Sequence, residues 1–146
     1  MPNLTYSFLS TNATLVGPGI ATPLAAGAGA DKEGITIVAN GDINTMTIGA
    51  DGSVMHSLHA DTSGTFTVRL LKTSPINAVL NAAYLFQTTN PANHGVNTLA
   101  LADGRGDSIT CQFVAFKKAP DLKYSEDGGS NEWQFDAGKI TRTLAA

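Results

Sequence analysis

Apolar and polar residues alternate through the middle of this chain with the two-residue period of a β-strand. The clearest segment is residues 65–71, and similar segments begin at residues 35, 44 and 54. The dipeptide Asp51-Gly52 supplies the positive φ angles that a tight hairpin turn requires. Three connected hairpins would join these four strands into a β-meander over residues 35–71.

The strand at residues 65–71 has two chemically different faces, because successive side chains of a strand point to opposite sides. Its apolar face is expected to lie in the core. A later alternating segment, residues 131–136, adds two large aromatic residues that usually are buried. The predicted core residues are Phe66, Val68, Leu70, Trp133 and Phe135.

The hydrophobic period then changes from strand to helix. Ser74 offers a capping hydroxyl and Pro75 suits the first turn, so apolar residues at helical spacing predict one amphipathic helix over residues 75–87. Residues 97–140 return to alternation interrupted by glycine turns, which predicts β-hairpins. The uncharged residues 17–30 are rich in turn formers and predict a loop.

The predicted fold class is therefore mainly β with one α-helix. The length of 146 residues suits a single domain, residues 1–146, since domains are usually about 100–150 residues long. Only 14% of the residues are charged, against about 25% in typical soluble domains. The surface is thus expected to be polar but sparsely charged.

Charge and hydropathy exclude several functions. A net charge of -3 provides no basic surface for gripping nucleic acid. No apolar run approaches the length of a membrane helix, and the first residues do not resemble a signal peptide. The expectation is a soluble product of the cytoplasm that has no membrane partner.

Candidate chemical groups are few. His56 and His59 form an HxxH pair, but residues three apart on a strand point to opposite faces and too few other ligands are near for a metal site. Cys111 lies in an apolar strand and is predicted to be a buried, inert thiol. Residues 105–107 spell Arg-Gly-Asp, which is interpreted as a turn between strands. With no recognisable catalytic set, the sequence predicts neither an enzyme nor a cofactor.

Several longer segments resemble a known family and together cover most of the chain. These segments are residues 44–52, 55–59, 67–75, 109–111, 114–118 and 132–137. They resemble the small tail tube proteins of contractile-tailed bacteriophages, and the resemblance is weakest in residues 17–30.

This resemblance implies a structural virion protein of the tail, assembled in the host cytoplasm. Such proteins form hexameric rings that stack helically into a tube, which first houses the tape-measure protein and then conducts DNA into the host. The implied partners are other copies of the chain, the tail sheath, the baseplate and the tail terminator. The implied fold is a β-sandwich or barrel with a flanking helix, related to type VI secretion tubes, in which four strands per subunit contribute to a continuous inner barrel.

The resemblance also gives the polar strand positions a role. With the apolar face turned to the core, the opposite face would line the channel or a subunit interface. Small hydroxyl groups and slight negative charge would let DNA pass without specific binding, because retained phosphate contacts slow passage. The residues expected there are Thr45, Thr47, Thr65, Thr67 and Arg69.

Two alternatives remain open at this point. The first is the tube of a phage-derived injection machine, such as a tailocin or a secretion system, which neighbouring capsid and terminase genes would distinguish from a phage tail. The second is a carbohydrate-binding β-sandwich, in which Trp133, Tyr124 and Tyr6 would stack on sugars. Glycan binding without polymerisation would favour the second.

Overall fold

A computed structural model describes residues 5–25, 27 and 29–144. In this part of the chain there are nine strands, one α-helix and two short 3-10 helices, Phe8–Ser10 and Pro91–Asn93. The strands and the α-helix, in chain order, are β1 Asn12–Gly17, β2 Ile20–Pro23, β3 Ala30–Ala39, β4 Asn44–Ile48, β5 Val54–Leu58, β6 Gly64–Leu71, α1 Ile76–Thr88, β7 Asn97–Ala102, β8 Ser108–Lys118 and β9 Ser130–Thr143.

Seven strands form one antiparallel sheet in the order β2-β1-β7-β8-β9-β6-β3. The order leaves β2 and β3 as the two edge strands. The sheet curls into a half-barrel. Strands β4 and β5 pair only with each other. The predicted fold class, mainly β with one α-helix, is confirmed.

The predicted β-meander over residues 35–71 is wrong. Strand β3 pairs with β6, with Ile37 opposite Phe66, and the second neighbour of β6 is the distant strand β9. Burial explains the pairing, because β3 turns Ile35 and Ile37 toward the core whereas no residue of β4 or β5 is buried. Alternation predicted the strands but carries no information on which strands pair.

The predicted loop over residues 17–30 contains a strand. Gly19, at φ +74°, forms a tight turn between β1 and β2, and Gly17 lies opposite Ile20. Leu24 and Ala25 after this strand are fully buried. Positions 26 and 28 of the predicted loop lie outside the described residues. The other boundaries differ slightly, since α1 covers 76–88 and β9 extends to 143.

Aromatic rings fill the core between the sheet and α1. Phe66 stacks on Phe135 with ring centroids 4.7 Å apart, and Phe116 lies 4.7 Å from Phe135 and 6.0 Å from Trp133. From α1, Tyr84 meets Phe116 edge to face at 5.6 Å. The helix therefore covers the same sheet face that carries these aromatics. The five residues predicted to form the core are all buried: Phe66, Val68, Leu70, Trp133 and Phe135.

Two buried amides tie α1 to the sheet. Gln87 near the end of α1 and Asn97 at the start of β7 exchange two hydrogen bonds, of 2.8 and 2.6 Å. Gln87 also donates to the Pro18 carbonyl at 3.0 Å, and Asn97 donates to the Val114 carbonyl at 3.1 Å. The pair thus connects the helix, the β1–β2 turn and β8 through side chains with no exposed surface.

Candidate functional site

The β4–β5 hairpin, residues 44–58, extends from the fold between β3 and β6 and is called the hairpin arm. Every residue of β4 is exposed, and so is every residue of β5 except the half-buried Ser57. An isolated two-stranded hairpin is at best marginally stable in water. The arm therefore presents two faces that no other strand or helix of the described chain covers.

The turn of the arm is built by local hydrogen bonds, as the dipeptide Asp51-Gly52 predicts. Gly52 adopts φ +88°, and the Gly49 N–H donates to the Ser53 carbonyl at 2.7 Å. The Ser53 N–H donates to the Asp51 carboxylate at 3.0 Å. Hydrogen bonds from the Ser53 backbone and hydroxyl lower the pKa of Asp51, so this carboxyl stays ionised in the turn.

The base of the arm is anchored to the sheet. Asn40 donates to the Ser63 hydroxyl at 3.1 Å and accepts from the Thr65 hydroxyl at 3.1 Å. The Ser63 hydroxyl in turn donates to Asp61 at 2.5 Å, and this bond lowers the pKa of the Asp61 carboxyl. These bonds fix where the arm leaves the sheet.

The two faces of the arm differ in chemistry. Directly opposed residues of an antiparallel pair point to the same side, so the register assigns each residue to a face. One face carries the pairs Thr45–Ser57 and Thr47–Met55 and is mostly polar. The opposite face, called the apolar arm face, carries Met46, Ile48, Val54 and Leu58 together with Asn44 and His56.

His56 of the arm and His59, the residue directly after it, both bond across to β4. His56 Nδ1 lies 3.2 Å from the Asn44 amide nitrogen, and His59 Nε2 lies 2.7 Å from the Thr45 hydroxyl. The two rings thus have different partners on opposite faces. Within the described residues, His, Cys, Asp and Glu side chains form no group of three or more that could hold a metal. His56 and His59 each link β4 to the other side of the hairpin through a side-chain contact.

A second polar surface lies on the half-barrel, on the side opposite the core. It runs across β3, β6 and β9, because Thr67 lies between Thr36 and Gln134, and it reaches β8 at Ala115, which pairs with Asp136. This surface is called the polar sheet face. Its residues are Thr36, Val38, Thr65, Thr67, Arg69, Ala115, Glu132, Gln134 and Asp136.

Arg69 is the one arginine of the polar sheet face, and its charge is locally balanced. Its Nη1 donates to the Thr36 hydroxyl at 3.0 Å, and its Nε lies 3.9 Å from a Glu132 carboxylate oxygen. The Arg69 side chain is only 19% exposed. The guanidinium is therefore held against the sheet by its neighbours, where an acid offsets its positive charge.

The five predicted channel residues fall into two groups. Thr65, Thr67 and Arg69 share the polar sheet face, whereas Thr45 and Thr47 lie on the polar face of the arm. Sequence reasoning missed the polar residues that β9 adds, which are Glu132, Gln134 and Asp136. Their alternation with Trp133 and Phe135 was a usable signal, but their position beside β6 depends on long-range pairing.

Other candidate groups serve structure. Cys111 is fully buried, and burial raises the pKa of its thiol to about 11 from an ordinary 9.0.

Trp133 is buried and donates its indole N–H to Asn77 at 3.1 Å, so it cannot stack on a sugar. The Tyr124 ring is occupied by the Lys72 ammonium, 3.7 Å from the ring centroid. The carbohydrate-binding alternative thus loses its principal aromatic residue.

Among the described residues, no helix combines the length and hydropathy needed to cross a membrane. A search of curated protein sequences gives no match.

The half-barrel with one covering helix is the fold of contractile injection system tubes. The structure is similar to the tube-terminating cap of the anti-feeding prophage (AFP), with a TM-score of 0.61, 12% identity and coverage of 99% of this chain and 95% of that chain. It is also similar to a chain of the PVC sheath-tube complex of an extracellular contractile injection system, with a TM-score of 0.60, 9% identity and coverage of 97% and 93%. The PVC sheath/tube terminator gives a TM-score of 0.58, 11% identity and coverage of 97% and 99%.

The family is defined by a sequence match. The family model for the bacteriophage PhiTE tail tube protein matches residues 3–145, nearly the whole chain. The chain therefore belongs to this family of phage tail tube proteins. It is a structural tail tube protein and not an enzyme.

Proposed function

We propose that this chain forms hexameric rings that stack into the inner tube of a contractile tail. The tube houses the tape-measure protein during assembly in the host cytoplasm and afterwards conducts DNA into the host. A sheath surrounds it, and the baseplate and a terminator protein close its two ends. The observation that carries this proposal is the uncovered hairpin arm.

The arm requires a second copy of the chain. Met46 is 58% exposed and Leu58 is 84% exposed, although both lie on the apolar arm face. Fully burying one such side chain contributes about 1.5–3 kcal/mol, so an arm docked on a neighbouring subunit adds several kcal/mol to assembly. Solvent-exposed apolar surfaces of this kind usually mark protein interfaces. In stacked rings, every arm can dock on a neighbouring subunit in the same way.

The edges of the half-barrel support ring closure. An open sheet leaves unpaired N–H and C=O groups on its edge strands, and pairing with a neighbour removes these edges. We assign the four inner-barrel strands that the family resemblance implies to β8, β9, β6 and β3, rather than to the consecutive strands β3 to β6. In the seven-stranded sheet β3 is an edge strand, whereas β8 also pairs with β7.

The polar sheet face suits the channel. Thr65 and Thr67 offer hydroxyls without charge, and Glu132 balances Arg69. Asp136 adds negative charge beside Thr65. A surface of this kind holds DNA phosphates weakly, so that DNA moves through the tube instead of binding to it.

Electron microscopy of the purified chain tests the role of the arm. Met46 and Met55 are almost equally exposed, 58% and 57%, and lie on opposite faces of the same arm. We expect Met46→Asp to prevent tube formation, because it places a charge in the apolar contact, while the matched control Met55→Asp still forms tubes. Circular dichroism should show that both variants are folded. Tubes of ordinary length from Met46→Asp would contradict this role of the arm.

A separate experiment tests the channel. Thr67→Lys on the polar sheet face should slow DNA ejection, because the added ammonium can retain phosphates, while ring formation is unchanged. Virions that carry Thr67→Lys and eject DNA at the ordinary rate would rule out the channel assignment.

The second candidate is a tube of a phage-derived injection machine that carries no genome. It is favoured by the structural similarity to AFP and PVC proteins, which belong to contractile injection systems. The assembly proposed for the arm and the sheet is the same in both cases. Capsid and terminase genes beside the gene for this chain would establish the phage tail, and their absence would favour the injection machine.

A further inference from the structure

The outward face of α1 carries no charge. Between Lys72 and Asp103 the sequence contains no Asp, Glu, Lys or Arg. Surface helices usually place charged residues on the side away from the core. Here the outward side instead exposes the apolar residues Val79, Leu85 and Phe86.

A shallow groove borders this helix face. It lies between α1 and the segment that follows β8, and its walls include Ala78, Asn81, Pro120 and Leu122. Leu122 is exposed at its rim, and the buried Trp133 forms part of its floor. The groove adds further uncharged surface to the exposed face of α1.

The helix face and the polar sheet face lie on opposite sides of the half-barrel. Leu80 and Ala83 of α1 are buried against the core side of the sheet, where Tyr84 also meets Phe116. The polar sheet face is the other side of the same strands. If that face lines the channel, the exposed face of α1 lies on the outside of the tube.

We propose that the sheath docks on this outward face of α1 and in the adjoining groove, through an uncharged, apolar segment and not through ion pairs. This inference rests on the proposed function, which turns the polar sheet face to the channel and the helix outward. Two points select this occupant: the outer position that the proposed function gives the helix, and the observed absence of charged residues from α1. A sheath segment that is rich in charge would lose its hydration here without gaining a partner.

The salt dependence of sheath binding distinguishes an apolar contact from a contact made by ion pairs. Tubes of the purified chain would be mixed with the sheath protein encoded beside it, and sheath bound per length of tube would be measured by sedimentation. We expect less than about a twofold decrease between 0.1 and 1 M NaCl, although the Debye length falls from about 10 Å to about 3 Å over this range. A decrease of tenfold or more would show an electrostatic contact and overturn the proposal.

Substitutions locate the contact. Leu85→Asp and Asn81→Asp each place one charge on this surface, and Asn81→Asp does so at nearly constant side-chain size. We expect tubes of either variant to bind at least about tenfold less sheath, equivalent to about 1.4 kcal/mol or more. The control Gln134→Glu adds the same charge on the polar sheet face and should leave sheath binding unchanged.

The outcomes distinguish this inference from the proposed function. If the unmodified chain forms no tubes, the proposed function fails. If tubes of Leu85→Asp and Asn81→Asp bind sheath normally, only the docking surface is wrong. If Asn81→Asp is folded but forms no tubes, the α1 face lies between copies of the chain, which also overturns the proposal.

Discussion

The buried amide pair of Gln87 and Asn97 gives the sharpest prediction on stability. Asn97→Ala removes three hydrogen bonds, two with Gln87 and one to the Val114 carbonyl. It leaves the Gln87 amide oxygen, one Gln87 N–H and the Val114 carbonyl without these partners in a region that has no exposed surface. Each buried polar group without a partner costs about 1–3 kcal/mol.

Three such groups together would cost about 3–9 kcal/mol. An entering water molecule recovers part of this cost, so we predict a loss of about 3–5 kcal/mol in the free energy of unfolding. Gln87→Leu should also destabilise the chain, since it removes the two hydrogen bonds between Gln87 and Asn97 and leaves Asn97 only its bond to the Val114 carbonyl. The double variant Gln87→Leu/Asn97→Leu leaves only the Pro18 and Val114 carbonyls unpaired. Its destabilisation should therefore be smaller than the sum of the two single losses by about 1–3 kcal/mol.

Urea unfolding of the unassembled subunit, followed by circular dichroism, measures these differences. The single variants Gln87→Leu and Asn97→Leu complete the double-mutant cycle. A loss below about 1 kcal/mol for Asn97→Ala, or losses that add to within about 0.5 kcal/mol in the cycle, would refute the reasoning.

Two further predictions concern Cys111 and the corner of the sheet at Phe113. Burial raises the pKa of the Cys111 thiol to about 11 from an ordinary 9.0. The stability that the buried neutral thiol contributes is therefore complete below pH 9 and is lost as the pH rises toward 11. Cys111→Ala should flatten this part of a curve of unfolding free energy against pH. Fast alkylation of Cys111 in the folded chain at pH 8 would contradict its burial. Phe113 is held at φ +54°, and a β-carbon added at Gly138 would lie only 2.9 Å from the Phe113 β-carbon. This contact is too close, so Gly138→Ala should lower the free energy of unfolding by about 1–3 kcal/mol. Thermal unfolding should show a smaller cost in the Phe113→Gly background, and an equal cost would refute the clash.

The sequence predicted local features of the fold well. The face of β6 that carries Phe66, Val68 and Leu70 is buried, and the turn at Asp51-Gly52 forms as expected. These features depend on neighbouring residues alone, through side-chain alternation and turn conformation. The helix between residues 76 and 88 follows from the same kind of local signal.

Features that depend on distant contacts could not be read from the pattern. Strand β4 alternates as cleanly as β6, yet it is exposed on both faces because it belongs to the arm. The polar sheet face required the pairing of β6 with β9, which is far away in the chain. The Gln87–Asn97 pair gave no periodic signal at all, since buried amides are determined by their partners and not by their position in a pattern.

The central claim is that this chain forms a tube with the polar sheet face inward and α1 outward. A cryo-EM reconstruction of the purified, assembled chain at side-chain resolution tests it most directly. We predict hollow tubes in which Thr67 and Arg69 face the channel and Leu85 faces the outside. Tubes with Leu85 toward the channel and Thr67 toward the outside would contradict the account.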